Sequence, residues 1–138
     1  MKRFVIMFVA FCAAIFQSCT DAKSVEEKLR NAEVKMEEYP KQAFEILKSI
    51  KQPELTTRKV QAKYALLMSM ALDKNYIDVA NDSIIKPAVK YYQNHGNADD
   101  RLKTCYYWGR IAMNAGEYDD AISRFTVAEP YVEYAHDK

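Results

Sequence analysis

The chain has 138 residues, 49% of them hydrophobic and 28% charged, with a formal net charge of +1. It holds three glycines, about 2% against the roughly 7% of an average soluble protein, too few for the tight turns of an all-β sandwich or barrel. The near balance of 20 basic and 19 acidic side chains provides no basic field, so no nucleic acid is expected as a ligand. Long helices joined by few turns fit this composition, and the length suits one domain with its own core.

Lys2 and Arg3 precede an uncharged run from Phe4 to Phe16. Thirteen apolar residues are too few for a stable transmembrane helix, which needs roughly 20, but they match the hydrophobic region of a signal peptide. Gln17-Ser18-Cys19 follows, and the chain turns polar at once with Thr20-Asp21-Ala22-Lys23. This pattern resembles the lipobox of bacterial lipoproteins, in a relaxed form similar to those of Bacteroidetes. The resemblance implies that residues 1–18 are removed and that Cys19 becomes the lipidated first residue, carrying acyl chains such as palmitate. Residues 19–23 would then be a tether to the membrane. The other reading of the same residues is an ordinary secretory signal followed by an incidental cysteine. Removal of residues 1–18 takes Lys2 and Arg3 away and leaves a net charge of −1. It also takes Cys12, so once Cys19 is lipidated Cys105 has no disulfide partner. Its apolar helical surroundings give it the role of a small hydrophobe.

Residues 24–138 read as paired helices. Val25, Leu29, Ala32 and Met36 form an apolar stripe over Ser24–Glu38, and Tyr39-Pro40 ends it. Ala43, Phe44, Leu47 and Ile50 line a second helix, which Gln52-Pro53 breaks. A third covers Glu54–Lys74, with Val60, Tyr64, Leu67, Met68, Ala71 and Leu72 inward. A fourth covers Ser83–Gln93, where Pro87 either kinks the helix or marks its start. Asn94–Asn97 is a loop, and a last pair covers Asp99–Asn114 and Tyr118–His136. These hairpins divide the domain into segments 24–51, 54–94 and 99–138.

The last pair carries Trp108, Gly109, Ala112, Gly116, Tyr118, Ala121, Phe125 and Ala128, with Pro130 beyond. Small and large residues at these offsets resemble a tetratricopeptide repeat. Gly109 costs about 1 kcal/mol inside a helix relative to Ala, so a close approach by the second helix should compensate. Ala121 is the small residue expected to face it, with Trp108, Tyr118 and Phe125 filling the surrounding space and Gly116 making the turn. The earlier hairpins resemble the repeat less closely, at a step of about 40 residues rather than roughly 34. The fold class expected is all-α, a tetratricopeptide-like array of three antiparallel helix pairs in a right-handed solenoid.

No constellation for catalysis appears. His95 and His136 share no face, so no metal site is expected, and no phosphate loop or nucleophile elbow occurs. Asp99-Asp100 and Asp119-Asp120 sit at helix starts, where the dipole favours acids. No enzyme activity and no cofactor are expected. The ten tyrosines place rings beyond the inner stripes, and repeat arrays bind peptides on the surface made by the first helix of each pair. Lys63, Met70, Lys103, Tyr106, Arg110 and Met113 are the candidate exposed residues of that face.

The expected function is a non-enzymatic, lipid-anchored interaction module on the extracytoplasmic side of a bacterial membrane, with an unknown protein or peptide as partner. The arrangement resembles Bacteroidetes tetratricopeptide proteins whose exported array precedes a membrane helix and a regulatory segment. The apolar residues of Tyr131–Ala135 lack a polar capping helix, which favours the sensor portion of a longer product of that kind. A fragment of a nutrient-binding lipoprotein of the SusD kind is the further alternative.

Overall fold

Three of the four prolines lie where a segment starts to wind, because the ring pre-sets φ and the missing N–H falls where a helix has no acceptor for it; Pro130 instead lies inside the last helix. In the computed structural model, which describes residues 24–136, α1 spans residues 24–35 and α2 spans Pro40–Lys48. A single 3₁₀ turn covers Gln52–Glu54, with Pro53 in it. Then come α3 (Arg58–Lys74), α4 (Lys86–His95), α5 (Ala98–Ala115) and α6 (Tyr118–Val132). The described residues are all-α: six helices and no strand. The expected signal peptide, the tether and Cys19 lie outside the described residues. No helix among the described residues is long and apolar enough to cross a membrane.

Local chemistry explains where the boundaries differ from the sequence expectation. The third helix starts at Arg58 rather than Glu54, because Thr57 Oγ1 accepts the Val60 N–H at 3.2 Å and caps it there. Pro87 lies in the first turn of α4 and starts that helix instead of kinking it. Asn97 Oδ1 accepts the Asp100 N–H at 2.8 Å and caps α5. The last helix ends at Val132, short of His136. The tail beyond it is tied back by the His136 N–H, which donates to Asp99 Oδ1 at 2.7 Å.

α3 and α5 end in the same way. The Ile77 N–H reaches the Leu72 carbonyl and the Tyr76 N–H reaches that of Asp73; 40 residues on, Glu117 reaches Ala112 and Gly116 reaches Met113. Both pairs form a Schellman motif, which needs one left-handed residue. Gly116 supplies it at φ 77°, and Tyr76 supplies it at φ 59° with its ring 95% exposed.

Packing follows chain order. α5 lies along α6, α3 along α4 and α2 along α3, while α5 also touches α3 and α4. Ion pairs from Lys63 to Glu33 and from Lys74 Nζ to Glu37 Oε2 (2.7 Å) join α3 to α1 and the turn after it. Surrounded in this way, α3 buries nine residues on all sides, from Val60 to Ala71. Val25, Met36, Leu47, Leu66, Leu67 and Ile85 are its largest fully buried companions and members, each contributing about 1.5–3 kcal/mol of apolar burial.

Candidate functional site

The α5/α6 hairpin is built around Gly109. A Cβ there would lie 2.7 Å from Phe125 Cδ1 and 2.8 Å from its Cζ, so the helices pack with an aromatic ring seated on bare backbone. The nearest atoms belong to Phe125, not to Ala121, although Ala112, Ala121 and Ala128 are all buried along the same contact. Trp108 is half-buried beneath Arg124, whose guanidinium carbon stands 4.3 Å from the ring and whose Nη1 donates to the Trp108 carbonyl at 3.2 Å. Tyr118 departs from the expectation. It is 66% exposed at the first position of α6 and so does not fill interhelical space.

The candidate binding residues divide. Tyr106 and Met113 are exposed on α5. Arg110 lies between them on the same side, at i+4 and i−3, and its Nε donates to Asp73 Oδ1 of α3 at 3.0 Å. That carboxylate raises the Arg110 pKa and holds the guanidinium charged. Tyr106 leans edge-on against Tyr107 with ring centroids 5.0 Å apart, and lies tilted against Phe125 at 5.9 Å. Lys63 is half-buried and committed to Glu33, and Lys103 is half-buried. Met70 is a correction to the expected face: it is 5% exposed, because α3 is enclosed by α2, α4 and α5 and has no outward side at that level.

The six expected residues therefore do not make one continuous surface. Tyr106, Arg110 and Met113 share one side of α5, joined through Arg110–Asp73 to α3. Lys63 belongs to a second region, a groove of about 600 Å³ where Glu33, Lys59, Tyr91, His95 and Asp100 also converge. His95 stacks on Tyr91 at 4.6 Å and its Nδ1 contacts the Tyr91 carbonyl at 3.0 Å. Tyr92 and Tyr107 are buried; burial first, then neighbouring Asp100 and Asp73 respectively, pushes their phenols well above the ordinary value. Among the described residues no three His, Cys, Asp or Glu side chains are placed to hold a metal ion.

Sequence reasoning missed three exposed apolar residues of α6, Ile122, Val127 and Val132. It also missed a small cleft beside Trp108, lined in addition by Arg101 and Thr104. The first was hidden because α6 carries apolar residues on more than one side. The second carried a faint signal, a row of hydrogen-bond donors at Arg101, Thr104 and Trp108 on the apolar side of a helix. Compared with protein-family models, with curated proteins and with solved structures, the chain matches none.

Proposed function

We propose that this chain is a tetratricopeptide-like, non-enzymatic interaction module, held by lipid on Cys19 at the extracytoplasmic side of a bacterial membrane, that binds a protein or peptide through α5. The observation that carries this reading is the grouping of exposed Tyr106 and Met113 around Arg110, whose guanidinium is fixed by Asp73. A pre-oriented cation between two large apolar side chains is the composition of a binding hot spot, since little side-chain entropy is lost when a partner docks. The partner should offer a carboxylate flanked by apolar side chains. The 40-residue offset between the two Schellman motifs supports a repeated hairpin unit.

A photo-crosslinking residue placed at Tyr106 or Met113 in the full chain tests the face. One partner band is expected from both positions, lost when Arg110→Glu is added, and absent when the crosslinker stands at Ile122. Equal crosslinking from Ile122 would overturn the assignment. For the anchor, Cys19→Ala should release the chain from the membrane fraction and abolish palmitate labelling; a variant that stays membrane-bound refutes it.

A further inference from the structure

A groove of about 610 Å³ runs between α3 and α4, and Arg58, Lys86 and Lys90 line it together with His95. No acidic side chain does so. That concentration of one sign stands out in a chain whose charges balance to +1. All three cations are exposed, and none makes an ion pair or a side-chain hydrogen bond with another described residue. Lys28, Lys48, Lys63, Lys74, Arg110 and Arg124 all have a carboxylate partner.

Their placement is unfavourable by itself. Arg58 opens α3 and Lys86 opens α4, where the helix dipole repels a cation; α5 and α6 each carry two aspartates in that turn. Lys86 and Lys90 are four positions apart on one side of α4 and repel one another. An anion in the groove relieves these repulsions together.

The groove continues into a second hollow of about 470 Å³, with Gln61, Ser83 and Pro87 common to both. The chemistry changes there. No charged side chain lines the second hollow. Leu55, Ala65 and Met68 are buried at it, and Tyr64, Leu72 and Ile84 are half-buried around them. From Arg58 to Leu72 the α3 helix rises about 21 Å. Along that length the two hollows make one trough, cationic at one end and apolar at the other.

We propose that this trough binds an anionic amphiphile. Its phosphate or carboxylate head accepts from Arg58, Lys86 and Lys90, and its apolar tail lies over Leu55, Met68 and Leu72. Arginine and lysine only donate, so they match a head that only accepts. Their long stems let the charges meet it without backbone movement. Neither end suffices alone, because water and salt screen exposed charges and the tail gains by leaving water. The head can belong to a free amphiphile or to a bilayer lipid, which share this chemistry. The trough shares no residue with the Tyr106–Arg110–Met113 face and rests neither on that reading nor on the lipid anchor.

The purified full-length chain, labelled at its methionine methyls, is titrated with dodecyl phosphate below its critical micelle concentration. The Met68 methyl resonance reports on the apolar end, and that of Met113 on α5 is the reference. Saturable movement of Met68 without Met113 is expected. Affinity should fall about tenfold in Lys86→Gln/Lys90→Gln. It should stay within about twofold in Lys41→Gln/Lys48→Gln, which removes the same charge from α2. Inorganic phosphate and the nonionic dodecyl maltoside should each bind about tenfold more weakly than dodecyl phosphate, or worse. No saturable movement of Met68, equal losses in the two double variants, or equal binding of either control compound overturns the proposal. Should a variant not fold, the three compounds on the parent chain decide. Co-sedimentation with phosphatidylcholine vesicles of increasing phosphatidylglycerol content then separates the two sources. Binding that rises with phosphatidylglycerol in the parent but not in Lys86→Gln/Lys90→Gln assigns the head to a bilayer lipid, and any other dependence assigns it to a free amphiphile.

Discussion

The ring of Phe125 occupies the volume that a side chain at Gly109 would need, with its Cδ1 only 2.7 Å from where a Cβ would stand. The relationship makes the two positions energetically coupled. Gly109→Ala alone should cost about 1–2 kcal/mol, because the overpacking exceeds the gain of about 1 kcal/mol in helix propensity. In a Phe125→Ala background the same change should be neutral or stabilising by up to about 1 kcal/mol, since the obstacle is gone. Urea denaturation of the four proteins of the cycle measures the coupling. Additive effects would show that the ring does not seat on Gly109.

Tyr76 holds the left-handed position that Gly116 holds in the other hairpin. A left-handed conformation costs a residue with a Cβ about 1–2 kcal/mol, partly offset by the extra freedom glycine loses on folding. Tyr76→Gly should therefore raise stability by about 0.5–1 kcal/mol, while Gly116→Ala lowers it by about 1 kcal/mol. Thermal melts check both, with opposite shifts of a few degrees expected.

Tyr92 and Tyr107 keep their phenols neutral beyond the ordinary value of 10, chiefly through burial. The unfolded chain ionises at that value while the folded chain does not, so the stability from each is intact below pH 10. It falls as pH rises above 10, by about 1.4 kcal/mol per pH unit for each tyrosine. Alkaline titration followed by circular dichroism should show unfolding above pH 10. Phenylalanine at either position should flatten the decline.

Met70 and Met113 are alike in sequence terms and opposite in environment, at 5% and 39% exposed. Met70→Ala should cost about 2–4 kcal/mol through an interior cavity, whereas Met113→Ala should stay within about 0.5 kcal/mol of the parent. Chemical denaturation distinguishes them.

Cys105 is half-buried, and burial raises its thiol pKa above 9.0. Only the thiolate reacts, so alkylation at neutral pH should be slower than that of a free cysteine and should accelerate as pH climbs past 9. Peptide-mapped mass spectrometry follows this residue separately from Cys12 and Cys19.

Much of the helical layout was legible because it rests on local rules. Val25, Leu29, Ala32 and Met36 repeat at helical spacing and all four are buried. Pro40 opens α2, Asn97 caps α5, and Gly116 turns the chain between α5 and α6. The exposure of the residues proposed for binding was only partly legible. Tyr106 and Met113 are exposed, as the periodicity of a peripheral helix implies. Met70 was misplaced because a periodic stripe assumes one buried side, and α3 has neighbours on several. Tyr118 was misplaced because a spacing pattern does not tell how much of a helix's first turn its neighbour covers.

Taken alone, the amino-acid sequence determined the helical class, the approximate helix boundaries and the inward stripes. These depend on contacts between residues three and four apart, which any one helix carries within itself. The tertiary structure decided that Phe125 is the partner of Gly109, that Asp73 fixes Arg110 across 37 positions, and that α3 is enclosed. It also decided that α4 and α6 leave a cleft over Arg101, Thr104 and Trp108. Each depends on how separate helices cross, and crossing is set by the summed packing of many side chains rather than by the spacing within any one segment.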